Sequence, residues 1–162
     1  MHWVAYALMT VVSWGLYGAF LNRGAKGFEH DRMKAFFFVG VAYMLIAVLA
    51  PLAVILKRGA GLDFFSYPQG VKWSLIAGIA GALGAFTVLF ALSENPVTKL
   101  SPATGASQVM SLVFAGAPIV AAVYGLMINP PKDGLGSLDW RFIAGLVLAA
   151  GGGALVTMFK PA

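Results

Sequence analysis

The sequence predicts an all-α integral membrane protein, a single transmembrane domain built as a bundle of about five helices, and three observations carry that prediction. Hydrophobic residues make up 60% of the 162 positions and charged residues 10%, with a mean hydropathy of +0.85. A soluble domain of this length needs far more polar surface, so a lipid bilayer must cover the outside. The apolar residues also gather into five runs separated by charge-bearing connections, and each run is long enough at ~1.5 Å per residue to cross a ~30 Å hydrocarbon core. Finally, the 20 glycines and eight prolines have no collagen period, and many lie inside the apolar runs, where membrane helices tolerate them as packing positions.

The first run spans residues 3–21 and stops at Asn22-Arg23-Gly24-Ala25-Lys26. A cleaved signal peptide is the competing reading. Against it, only the amino terminus and His2 precede the run, Trp14 and Tyr17 interrupt it, and no clear small-residue cleavage site follows. The second run, 35–56, opens with Phe36-Phe37-Phe38 and closes on Lys57-Arg58, the aromatic and cationic ends of a span. Residues 59–72 contain Asp63, Phe64, Phe65, Tyr67 and Pro68 and read as an amphipathic connection at headgroup level.

The third helix, 73–92, carries Ala77, Gly81 and Ala85 at four-residue spacing, a face that lets another backbone approach closely. Glu94-Asn95-Pro96 ends it, because proline lacks an amide donor and disfavours helical geometry in the residue before it. The fourth helix, 101–127, has a second small and partly polar stripe in Ala103, Ser107, Ser111 and Ala115, and Pro118 is expected to bend it. Turn-forming Asn129-Pro130-Pro131 and Asp133-Gly134 lead to the fifth helix, 141–159. Gly145, Ala149 and Gly153 repeat the small-residue spacing there, and Lys160 anchors the end.

Other function classes lose support on composition. Without cysteine there is no disulfide framework, thiolate metal site or thiol nucleophile. The net charge of +5 is spread over the connections, as in membrane proteins, so nucleic acid is not an expected partner. Two histidines without an HExxH or P-loop pattern favour neither an enzyme nor a nucleotide-driven pump, and no cofactor is expected. Glu29, His30 and Asp31 are consecutive on a connection and do not converge readily on one metal ion.

Five spans place the termini on opposite sides, and the basic residues then divide almost evenly. Lys57, Arg58, Lys72, Lys132 and Arg141 fall on the N-terminal side, and Arg23, Lys26, Arg32, Lys34, Lys99 and Lys160 on the other. Either several of these residues do not count toward orientation, or the chain inserts both ways and forms an antiparallel pair, the oligomeric equivalent of an inverted repeat.

The order of features from Gly81 onward resembles one half of an EamA-type protein of the drug/metabolite transporter superfamily. The parts are GALGAFTVLFALSENPVTKLSPATGASQ, then VMSLVFAGAPIVAAVYG with its mid-helix Pro118, then DWRFIAGLVLAAGGGALV. At the start, SWGLYGAFLNRGAK resembles the family's first helix, with Trp14 and Lys26 at the matching places. The resemblance implies one repeat of a ten-helix inverted-repeat transporter, a substrate cavity between repeats and a second unit as partner. It also implies a multi-pass protein of the bacterial inner (plasma) membrane. Two departures stand out. Met127-Ile128-Asn129-Pro130-Pro131 replaces the Gly-Glu pair of many members, and no acid occurs between Trp3 and Leu21, where smaller multidrug members couple protons to export.

Uncharged residues are the better candidates for binding a solute. Trp14, Tyr17, Thr87, Gln108 and Ser111 lie at membrane depth and can line a cavity for a small polar or amphipathic molecule. The alternative is that Gln108 and the serines bond neighbouring helices while Trp14 fills core volume. Glu94 is a candidate cation or proton site at a cavity mouth, or else a solvated or capping carboxylate. Two function classes follow: a transporter unit, expected to act as a homodimer on a small metabolite, or a non-transporting subunit that grips other membrane subunits through its small-residue faces. A third is an adapter for lipid or pigment through Phe36 to Phe38 and Phe64 to Tyr67.

Overall fold

The computed structural model describes residues 2–159, so Lys160, the expected anchor of the last helix, lies outside the described residues. The described residues form helices and turns with no strand among them. In chain order the elements are α1 (His2–Gly27), α2 (Arg32–Tyr43), a π-helical turn (Met44–Leu49), α3 (Ala50–Lys57), a 3-10 turn (Phe64–Ser66), α4 (Pro68–Glu94), α5 (Pro96–Leu100), α6 (Pro102–Ile128), a second 3-10 turn (Leu135–Ser137) and α7 (Trp140–Met158). Five helices are long and apolar enough to cross a membrane: α1, the composite Arg32–Lys57, α4, α6 and α7. The chain is a helical multi-pass membrane protein.

Boundaries differ from the sequence expectation where polar residues continue a helix. α1 runs to Gly27 because Asn22, Arg23, Ala25 and Lys26 break neither helical geometry nor its hydrogen bonds. α4 begins at Pro68, since proline suits the first helical position, where no amide donor is needed; the connection is therefore shorter than expected and Lys72 sits in the helix, its Nζ 5.4 Å from the centre of the Trp73 ring. α6 runs unbroken through Pro118. In the second span the π turn precedes Pro51, whose ring would press on the carbonyl of Ala47; the widened turn contains that carbonyl and makes room for it.

The chain divides into two compact units, Phe20–Ala91 and Met1–Ala19 with Leu92–Ala162. In the first, buried Leu21, Asn22, Ala25, Ala35, Ala85, Val88 and Leu89 form the packed part. Aromatic rings reinforce it: Phe28 stacks on Phe38 at 5.6 Å, and Phe86 contacts both Phe36 at 5.6 Å and Phe90 at 5.1 Å. A polar contact joins the two helices beside their turn, Arg32 Nη2 donating to Asn22 Oδ1 at 3.4 Å. The α1–α2 turn reverses the chain through Glu29 and His30, both left-handed at φ 54° and 68°. Asp31 then caps α2 by accepting from the Met33 and Lys34 amides at 2.9 and 3.1 Å.

In the second unit α6 is the central element. α5 returns onto its start, α7 packs along its length, and the N-terminal part of α1 meets it at Gly18, where a Cβ would lie 2.8 Å from Met110 Cγ. Two further glycines permit close approach: Gly105 abuts Thr98 of α5, and Gly153 abuts Ala115. Most large apolar side chains elsewhere, among them Trp3, Phe37, Leu75, Val120 and Val147, are exposed and suited to lipid.

Two measurements follow. Gly105→Ala should lose about 1–3 kcal/mol of stability, because the added Cβ meets the Thr98 backbone as well as its side chain. Gly116→Ala, where a Cβ meets nothing within 4 Å, should be neutral or slightly stabilising in the same thermal or denaturant melt. The Asp31 carboxyl is held below its ordinary value of 3.8, first by the Lys34 amide, with the Met33 amide and the Lys34 charge also lowering it. Its capping contribution should therefore be complete above its unfolded-state pKa and disappear as pH falls through the lower folded value. The melting difference between wild type and Asp31→Ala, followed against pH, should close on the acid side and persist at neutral pH.

Candidate functional site

Within the second unit the small side chains of α1, α6 and α7 leave a cleft of about 560 Å³. Gly15 and Ala19 of α1 line one side; Ala103, Ala106, Ser107, Met110, Ser111, Phe114 and Ala115 line the α6 side; Leu148, Ala149, Gly152, Gly153 and Val156 line the α7 side. The cleft exists because α6 presents a small residue every fourth position while the Gly153–Ala115 contact holds α7 close to it. Gly15 and Gly152 have no atom within 4 Å of where a Cβ would stand. No acidic or basic side chain lines the cleft among the described residues.

An aromatic cluster borders it. The Trp14 ring lies 5.6 Å from Tyr17 and meets Phe114 edge-on at 6.5 Å, so Trp14 reaches the cleft through Phe114.

Gln108 makes two bonds inside the unit. Its Nε2 donates to the Thr157 carbonyl at 2.9 Å, and its Oε1 accepts from Asn95 Nδ2 at 3.3 Å. Thr157 lies in the last turn of α7, where a carbonyl has no partner within its own helix, and Asn95 Oδ1 caps α5 by accepting from the Val97 amide at 2.8 Å. One half-buried side chain thus ties a helix end to the α4–α5 corner. This is the bonding role the sequence left as an alternative for Gln108.

The remaining candidates are distributed. Ser107 and Ser111 both face the cleft, together with Ala149 and Gly153. Thr87 belongs to the other unit, is exposed and donates to the Gly84 carbonyl of its own helix at 3.0 Å. Glu94 is the exposed last residue of α4. Ala85 is buried, whereas Ala77 is exposed and a Cβ on Gly81 or Gly145 would meet nothing within 4 Å. No group of three metal-ligating side chains converges among the described residues.

No family model, curated protein or solved structure matches the chain.

Gly15, Ala19, Met110 and Phe114 are not among the residues the sequence singles out. The four-residue spacing of Gly15 and Ala19 is a signal that identifies the first pair; the other two need the α1–α6 pairing. Asn95 and Thr157 become partners of Gln108 only through contacts distant in sequence.

Replacing Gln108 with Leu should cost about 1–3 kcal/mol, because it leaves the Thr157 carbonyl and the Asn95 amide without their partner. A double-mutant cycle with Asn95→Ala in bilayer nanodiscs should show the two residues coupled. Additive losses would mean that the 3.3 Å contact contributes nothing.

Proposed function

We propose that the chain is one unit of a membrane transporter that moves a small metabolite or amphipathic solute and acts as a homodimer, as one repeat of an EamA-type carrier would. The observation that supports this reading best is the cleft between α1, α6 and α7, which lies along membrane-spanning helices and carries two hydroxyls on an otherwise small and apolar lining. The near-even division of basic residues supports an antiparallel pair, in which two copies provide the inverted repeats that larger carriers contain in one chain. A bacterial inner membrane is the setting this reading implies. Without an acid in the cleft, the solute moves down its gradient or by exchange.

A specific observation favours a second reading, that of a non-transporting subunit in a larger membrane complex. Gln108 and Thr87, two of the polar residues expected to meet a solute, make hydrogen bonds within the protein.

Native mass spectrometry after gentle extraction separates the two, with a homodimer expected for the carrier and a fixed set of unrelated chains for the subunit. Proteoliposomes loaded with an isotope-labelled cell extract should lose particular solutes only when the protein is present. Ser111→Ala should slow that loss by about fivefold, the effect of one hydrogen bond. Protein that remains monomeric and passes no solute defeats the transporter reading.

A further inference from the structure

We infer that the α1–α6–α7 cleft selects an uncharged solute with a largely apolar body and one hydrogen-bonding group, held by the Ser107 and Ser111 hydroxyls. This rests on the transporter reading for the cleft's purpose and goes beyond it in naming the chemical class.

A serine or threonine in a membrane helix ordinarily satisfies itself by donating to a carbonyl of the preceding turn. This protein follows that habit at Thr10, Ser13, Thr87 and Thr157, whose hydroxyls reach the carbonyls of Tyr6, Met9, Gly84 and Gly153 at 2.8–3.0 Å. Ser107 and Ser111 depart from it. Both are half-buried, both face the cleft, and neither hydroxyl has a hydrogen-bond partner among the described residues. They sit one turn apart on the same face of α6, and Ser111 is four residues from the helix midpoint. A solute that offers an oxygen or a hydroxyl there replaces the bonds that the helix does not supply.

The rest of the lining excludes charge. Alanine, glycine, methionine, phenylalanine, leucine and valine surround the two serines, and no ionised side chain is present to balance an ion. Transferring an ammonium or carboxylate into such a site is strongly unfavourable without a counter-charge. A volume of about 560 Å³ falls within the range of small-molecule sites. The open space in front of Gly15 and Gly152 extends the room available to an apolar body.

Three naphthalene probes of similar size test the inference at neutral pH: 1-naphthol, 1-naphthoate and 1-naphthylmethylammonium. Binding is measured by equilibrium dialysis of the wild-type protein in nanodiscs, with empty nanodiscs as the blank for partition into lipid. Saturable binding of 1-naphthol is expected, with each charged analogue at least tenfold weaker. Ser107→Ala with Ser111→Ala removes both hydroxyls while favouring the helix, and should weaken 1-naphthol binding roughly tenfold. Gly152→Leu places a side chain where nothing stands within 4 Å and should abolish the binding by filling the cleft. Circular dichroism confirms that each variant is folded.

Charged analogues that bind as well as 1-naphthol overturn the inference, as does an absence of 1-naphthol binding or binding indifferent to the serine pair. A serine-pair variant that changes the dimer fraction and leaves 1-naphthol binding intact also overturns it, by making the cleft a seat for a partner helix. Solute loss from proteoliposomes is read separately. Binding of the expected class without any flux defeats the transporter reading alone, and flux of charged solutes alone defeats the chemical class while leaving transport in place.

Discussion

Hydrocarbon offers no hydrogen-bond partner, and the arrangement of this protein follows from that constraint. Helices satisfy their own backbones along their length, so the difficulty concentrates at their ends and at the few polar side chains within. Asn95 and Asp31 cap the starts of α5 and α2, and Gln108 serves the last turn of α7 from a different helix. Ser107 and Ser111 stand out against this background because most other hydroxyls in the spanning helices are visibly provided for.

The same constraint explains why so few contacts hold the helices together. Lipid tails are as apolar as leucine, so burying a large side chain gains little over leaving it in the bilayer, and close approach must come from shape. Gly18, Gly105 and Gly153 supply it, each at a contact that joins α6 to a neighbouring element. With α6 fixed in this way, the small residues on its remaining face leave a cleft instead of a seam.

The helical membrane class and the existence of five spans were legible from composition and the spacing of charges, because both reflect length and hydropathy. Helix ends were less legible. Residues 22–27 and 68–72 are polar enough to mark a boundary in hydropathy yet still continue a helix, since leaving the membrane and leaving helical geometry are different events. The α6 stripe of Ser107 and Ser111 could be read from four-residue periodicity. The role of Gln108 could not, because its partners Asn95 and Thr157 lie 13 and 49 residues away. Gly81 and Gly145 carry the same local pattern as Gly153 yet meet nothing within 4 Å, because spacing records a capacity for contact and not the neighbour that uses it.

The π turn at Met44–Leu49 acts as a frame shift within a helix. One additional residue in a turn advances everything beyond it by about 100° around the axis. Ala50–Lys57 therefore presents a different stripe of side chains than an uninterrupted helix from Arg32 would. None of the residues from Met44 to Lys57 is buried, so the surface that turns holds no core side chain. Deleting a single residue there would restore a regular helix and rotate its far end without uncovering a buried side chain.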